Sequence, residues 1–389
     1  VKFENNVIFL EEKYDSTNAP RLEQDIMAIL DTFPADSPVV LDAAATRYIS
    51  SAGLRVFMKI KKRFSDLSII HVSNEVYEIL DITGFSGMMK VKKAYRTVSL
   101  ENAQEIGHGL SSVVYRIDRE TIVKVYNPRV PLHKIEREVE FARKSFFFGI
   151  PTRISYDIVK CGDWYGTVYE LVDSQVLSRF LMANPDRFDE YADKYLRFLR
   201  EIHQISVDDS FMDVKQLWLS WADMLAPQFT EGELAKLKAL ISAVPNRDTF
   251  VHSDIHTNNI MLGEDDLVLI DMADIGRGHP IFDIGPLFFH YHFIEQANPQ
   301  MADNLMVINH DMRNKMWNLL KENYLADPDP EKHEKLIEIY NCFGAIRCAL
   351  LVAKHAQMED DKKANFIRVM KDYVFPRADE ILPLIKQYL

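Results

Sequence analysis

One stretch of this 389-residue chain constrains it more than any other: His252-Ser253-Asp254-Ile255-His256-Thr257-Asn258-Asn259, followed by Leu269-Ile270-Asp271. Two apolar runs, Ile260-Met261-Leu262 and Leu267-Val268-Leu269-Ile270, flank Gly263-Glu264-Asp265-Asp266, which has turn composition. That spacing predicts a short hairpin. Taken singly, Asp254, Asn259 and Asp271 are residues that commonly fill loops. As an ordered set they offer more. Moving a phosphoryl group off a nucleotide needs one carboxylate near the attacking hydroxyl and oxygen ligands for the magnesium that bridges the phosphates. Asp254, Asn259 and Asp271 supply those groups.

Their order is that of a kinase catalytic loop, and it resembles the aminoglycoside/choline phosphotransferase family, whose loop carries a second His after the Asp, here His256. The resemblance runs over roughly the last three quarters of the chain, strongest at this loop and weak toward the C-terminus. It implies Asp254 as catalytic base and Asn259 and Asp271 as magnesium ligands. It implies that His252 and His256 brace the loop by hydrogen bonds rather than act chemically. Asp283, in Gly278-His279-Pro280-Ile281-Phe282-Asp283, resembles the family's helix-start aspartate that anchors the loop; from the residues alone it reads as a helix N-cap. The cofactors implied are ATP and Mg²⁺.

A nucleotide-binding lobe is then expected upstream. Glu105-Ile106-Gly107-His108-Gly109-Leu110-Ser111-Ser112-Val113-Val114-Tyr115 reads as strand, flexible turn, strand. Gly107 and Gly109 let the backbone approach phosphate oxygens, with Ser111 in the same turn. Ser112 stands where a third glycine would be, and no Lys-Ser/Thr ending follows, so this is not a P-loop. Lys124 lies inside Thr121-Ile122-Val123-Lys124-Val125-Tyr126, an apolar run where a charge needs a partner. A phosphate oxygen and a helix glutamate are those partners in a kinase reading. Residues 133–144 read as that helix, with Ile135, Val139 and Ala142 on one face. Glu138 matches the family's position, and Glu136 and Glu140 read as solvated. Apolar strand runs follow at 154–159 and 166–172, ending where Glu170 and Val172 would meet the purine edge through their backbone.

Net charge −12 disfavours a general nucleic-acid or anionic-membrane surface and suits a cationic substrate. No apolar run reads as reaching membrane-spanning length. Cys161, Cys342 and Cys348 are odd in number and lack metal-site spacing, so they read as buried thiols in a reducing cytoplasm.

Residues 1–97 read as strand, helix, strand, helix, strand, helix, the signature of an α/β sheet with covering helices. The segment resembles the STAS domain of bacterial anti-sigma-factor antagonists through Tyr48-Ile49-Ser50-Ser51-Ala52-Gly53-Leu54, Leu41-Asp42 and Asp15-Ser16-Thr17-Asn18-Ala19-Pro20. The family's phosphorylatable residue falls on Ser51, while Ser50 replaces the Asp that many members carry. Ser51 sits where a strand meets a helix start, so it is expected to cap that helix, and a phosphate there would meet free N–H groups. Lys90–Thr97 reads as a linker or a last strand.

The expected architecture is an α/β STAS-like N-terminal domain (1–97) followed by a two-lobed, protein-kinase-like α+β phosphotransferase domain (98–389), with its first lobe at 98–172 and a helical lobe at 173–389. The expected activity is transfer of the γ-phosphoryl of ATP to a hydroxyl of a small molecule or a protein serine, with the STAS module engaging a protein partner. A nucleotide-sensing scaffold without turnover is the alternative. Phe288–Phe293 and Arg347–Ala353 read as core-facing helix segments, with an aromatic acceptor pocket as the sharper reading. Trp218 and Trp221 are expected to pack a helical insert, or to border the acceptor.

Overall fold

The computed structural model describes all residues except 35–36, 109–111, 172–174, 264–265, 295–299, 301, 304–305 and 355–357. The expectations for Gly109, Ser111 and Val172 therefore lie outside the described residues. The chain divides into two compact units: Val1–Asn102 with Ile158–Gly166, and Ala103–Asp157 with Thr167–Leu389.

In the first unit, five strands form one sheet in the order Lys2–Glu4, Val7–Phe9, Val39–Asp42, Leu67–Val72 and Lys90–Lys93. The first pairing is antiparallel and the rest are parallel. Parallel neighbours require crossovers, which helices Ala19–Leu30, Ser51–Arg63 and Asn74–Ile82 supply. Each helix turns an apolar stripe inward, Leu22, Ile26 and Leu30 on the first and Leu54, Phe57 and Ile60 on the second. Lys90–Lys93 is a last strand and not a linker.

The helix cap falls one residue earlier than expected. Ser50 keeps an extended backbone, and its side chain accepts a hydrogen bond from Ala52 N at 3.2 Å, whereas Ser51 is already helical and exposed. Only a residue still outside the helix can turn its oxygen back onto the first free amides. Gly53 follows for a steric reason: a Cβ there would stand 2.6 Å from Tyr14 Cβ and 2.8 Å from the Tyr14 carbonyl oxygen.

In the second unit, Gln104–His108, Ser112–Arg116 and Thr121–Tyr126 form an antiparallel meander, and Trp164–Glu170 lies beside the last of these. The strands expected at 154–159 and 166–172 run instead over Asp157–Cys161 and Trp164–Glu170, because the turn between them is set by Gly162 at φ +64°. Helix Leu132–Phe147 follows the meander. The expected hairpin is present, Ile260–Leu262 pairing with Leu267–Leu269 in the register Ile260↔Leu269. A second pair, Thr249–Val251 with Gly276–Gly278, closes the other end of the same region.

Beyond the hairpin the chain is largely helical. Its longest helix, Pro330–Lys354, corrects the reading that no segment reaches membrane-spanning length: by length and composition it does, with a mean hydropathy of 1.6 over its most apolar window. That window is 72% buried inside the protein, so the apolar residues serve the core. It meets helix Ile281–Phe288 almost backbone to backbone. A Cβ on Gly344 would lie 2.9 Å from Phe288 Cβ and 3.1 Å from Gly285 O. Trp218 is fully buried against Phe282 and Phe343 of these two helices. The three cysteines are buried and free, and burial pushes the Cys342 thiol up to about 12.

Candidate active site

Lys124 points its ammonium at Glu138 of helix Leu132–Phe147, Nζ to Oε1 2.7 Å, and lies 3.6 Å from Asp271 Oδ1. Burial alone would push its pKa down; the Glu138 and Asp271 carboxylates outweigh that and hold it well above the usual lysine value. Glu138 is itself buried, and its second oxygen accepts from the Tyr126 hydroxyl at 3.0 Å. Of the three glutamates on this helix, Glu140 is exposed and Glu136 is half-buried. Asp271 is half-exposed and bound into the hairpin end, where Ile270 N donates to Asn259 O at 3.0 Å.

Asn259 in turn holds Asp254: its Nδ2 donates to the Asp254 carbonyl at 2.8 Å and lies 3.4 Å from Oδ2. The loop that carries Asp254 is pinned from beneath by Asp283. This carboxylate is fully buried and accepts from the backbone N–H of both His252 and Ser253, with His203 Nε2 on its outer oxygen at 2.9 Å. Asp283 occupies the third position of helix Ile281–Phe288 and does not cap it; its hydrogen bonds go to the loop. Ser253 and Asp271, both non-glycine, are held at φ +69° and +64°. Such conformations persist only where surrounding bonds enforce them. His252 braces the loop, Nε2 meeting Ile270 O at 3.1 Å.

His256 does something else. Its Nε2 lies 3.6 Å from Asp254 Oδ2, and its ring packs edge-on against His290. His290 and Arg347 approach the other oxygen: His290 Nε2 is 3.2 Å from Oδ1, and Arg347 Nη2 is 3.7 Å from it. Both come from the segments read as core-facing helix, and neither was singled out as a site residue. Burial alone would raise the Asp254 pKa, but the charge of His256 and hydrogen bonds from His256 and His290 hold it well below the usual carboxylate range. Asp254 is thus an ionised acceptor with a side chain 27% exposed.

Residues 102–313 match the phosphotransferase enzyme family, and residues 2–99 match the STAS domain. The chain belongs to the phosphotransferase enzyme family. Its N-terminal part is a STAS domain, 34% identical over 86 residues to a putative anti-sigma factor antagonist, BtrV, of Bordetella bronchiseptica; the match spans 21% of this chain and 72% of that protein. Among solved structures, an ADP-bound aminoglycoside phosphotransferase, APH(2'')-Ib, aligns with TM-score 0.45 and 16% identity over 72% of this chain and 94% of its own. A choline/ethanolamine kinase family protein of Mesorhizobium loti aligns with TM-score 0.46 and 13% identity over 73% and 92%.

In the segment where a nucleotide was expected to bind, an added Cβ at Gly107 would meet Val114 at an ordinary 3.5 Å, so packing does not itself demand the glycine. Glu170 is exposed; its carbonyl accepts from Arg153 at 3.2 Å and its carboxylate from Tyr156. A carbonyl has a second lone pair, so a further donor still fits there. For magnesium the donor set is suitable. With Nδ2 of Asn259 committed to Asp254, its amide oxygen is left to serve as a hard ligand beside the half-exposed Asp271. Mg²⁺ is commonly held by one or two such protein oxygens, the rest coming from water and phosphate.

Two buried imidazoles make the fold acid-sensitive. Burial holds His279 at about 3 and His290 at about 4, so the folded protein keeps both neutral while the unfolded chain takes up protons below about pH 6.5. Their stability contribution is full above that value and falls as pH drops toward 4, by at most about 1.4 kcal/mol per pH unit for each. Chemical unfolding across this window should show the decline. A flat profile would mean that neither imidazole is held neutral.

Proposed function

We propose that this phosphotransferase moves the γ-phosphoryl group of ATP, with Mg²⁺, to a hydroxyl of a small molecule, under the influence of its STAS domain. The reading rests on one series of contacts: Glu138 to Lys124, Lys124 to Asp271, the neighbouring Ile270 N–H to Asn259, and Asn259 to Asp254. Bound magnesium supplies charge neutralisation at the phosphates. Lys124 holds the α- and β-phosphates, Asn259 and Asp271 hold the metal, and Asp254 orients the hydroxyl and accepts its proton. This is positioning and electrostatics, which is what phosphoryl transfer requires of a protein. A protein that only senses nucleotide has no use for a carboxylate in the place of Asp254.

Ser51, exposed in the first turn of its helix, is the proposed phosphorylation site of the STAS domain. A phosphate there adds about −1.5 to −2 charge beside free amides and changes the surface a protein partner reads.

The test is ATP turnover against a panel of hydroxyl compounds, with Lys124→Met as control. Losing a charge-assisted phosphate contact should weaken ATP binding by roughly 10- to 100-fold. Thermal unfolding is measured alongside, since Glu138 also loses its cation. ATP binding without turnover on any hydroxyl would favour the sensing scaffold, and unchanged affinity in the variant would remove Lys124 from the nucleotide site.

A further inference from the structure

Arg347 sits in the middle of the core helix Pro330–Lys354 with 1% of its surface exposed, an unusual place for a guanidinium. Its Nη2 reaches toward Asp254, and its guanidinium carbon is 5.6 Å from the centre of the Trp221 ring. Its Nε and Nη1 are buried and have no hydrogen-bond partner among the described residues. A guanidinium carries five N–H donors, and each one buried without an acceptor costs about 1–3 kcal/mol. Three unmet N–H groups on these two nitrogens, beside the carboxylate proposed to orient the acceptor, make a site suited to ligand oxygens.

Asp274 also lies within electrostatic reach of Arg347 and Asp254. Lys354, two turns along the same helix, is already neutralised by Asp274. Asp254 is left facing one fixed cation, Arg347, and two imidazoles, His256 and His290, whose Nδ1 atoms are also buried without a partner among the described residues. Asp254, His256 and His290 have ligand atoms within 4.8 Å of one another, spacing that would also suit a metal ion. Arg347 weighs against that: a permanent positive charge 3.7 Å from Asp254 Oδ1 would repel a divalent cation bound at the same oxygen. The net acidity of the chain likewise does not describe this spot.

We propose that the acceptor is a hydroxyl compound bearing an oxyanion, a carboxylate or a phosphate ester, which Arg347 binds while Asp254 orients the hydroxyl. The inference rests on the phosphotransferase reading above and narrows its substrate class. The γ-phosphoryl passes to the acceptor hydroxyl, the P–O bond to ADP breaks, and the hydroxyl proton leaves by way of Asp254. Arg347 forms no bond in the reaction; it sets which molecules lie correctly against Asp254. Access is from the partly exposed side of Asp254.

The test pairs acceptors that differ only in charge: glycerate and glycerol 3-phosphate against glycerol, with choline as the cationic arm. Wild-type kcat/KM should favour at least one oxyanion over glycerol and choline by roughly 100-fold, the effect of a buried charge pair. Arg347→Met should collapse that ratio through KM, with nucleotide affinity retained as the check on folding; Arg347→Lys should recover part of it. A binding arm needs no turnover: calorimetric titration of the two oxyanions should show affinity that Arg347→Met lowers by roughly tenfold or more. Equal or better use of glycerol or choline, a loss in Arg347→Met that is the same for every acceptor, or oxyanion binding that is absent or indifferent to the substitution overturns the proposal. If ATP binds and no hydroxyl is phosphorylated while oxyanions bind through Arg347, the phosphotransferase reading fails and the anion site stands.

Discussion

Replacing Asp254 with Asn is expected to lower phosphoryl transfer by roughly 10²- to 10⁴-fold while leaving ATP affinity nearly unchanged. The substitution keeps the shape of the side chain and one oxygen that can face His290, so the contacts from Asn259 to the Asp254 carbonyl survive. What is lost is the charge proposed to accept the proton and align the hydroxyl. One cost must be separated from the chemistry. Arg347 would lose the carboxylate that its Nη2 approaches, and a buried cation with less compensation destabilises a fold. Rapid-mix transfer assays should therefore be read beside ATP titration and an unfolding curve. Wild-type transfer rates in the variant would remove Asp254 from the reaction.

How much of this site was legible follows from where its residues sit in the chain. The hairpin was readable because the period of its apolar runs and the composition of its turn are local. Lys124 was readable because a charge inside an apolar strand needs a partner, and Glu138 because Ile135, Val139 and Ala142 define the buried face that it shares. The same logic applied to Arg347, a charge within Gly344-Ala345-Ile346-Arg347-Cys348-Ala349, would have marked it. An apolar helix, however, suggests core before it suggests a site, and that masks the signal. His290 was hidden in the same way among Phe288, Phe289 and Tyr291. That both converge on Asp254 depends on helix crossings such as the Gly285–Gly344 approach, which no local pattern encodes. The left-handed backbone at Ser253 and Asp271 was equally silent, since neither position carries the glycine that usually announces it.

In the first unit the strand and helix alternation was legible because each helix carries its own apolar stripe. The choice between Ser50 and Ser51 as cap was not. Both residue types cap well, and the decision lies in which of them keeps extended φ and ψ.

That left-handed backbone decides how the metal prediction should be made. Asp271→Ala would place an alanine at φ +64°, which strains the chain independently of any metal. Asp271→Asn is the cleaner change, because Asn tolerates the same conformation and removes only the charge. It should raise the magnesium concentration needed for half-maximal ATP binding and weaken ATP binding by roughly tenfold or more, about 1.4 kcal/mol, since the phosphates lose an anionic tether through the metal. Lys124 keeps Glu138 at 2.7 Å, so the loss is expected at the metal and not in the position of the lysine. Calorimetric ATP titrations at stepped magnesium concentrations separate the two effects. A lysine defect would weaken ATP equally at every magnesium concentration, whereas a lost metal ligand is partly rescued as magnesium rises. Identical magnesium dependence in wild type and Asp271→Asn would show that this carboxylate does not hold the metal.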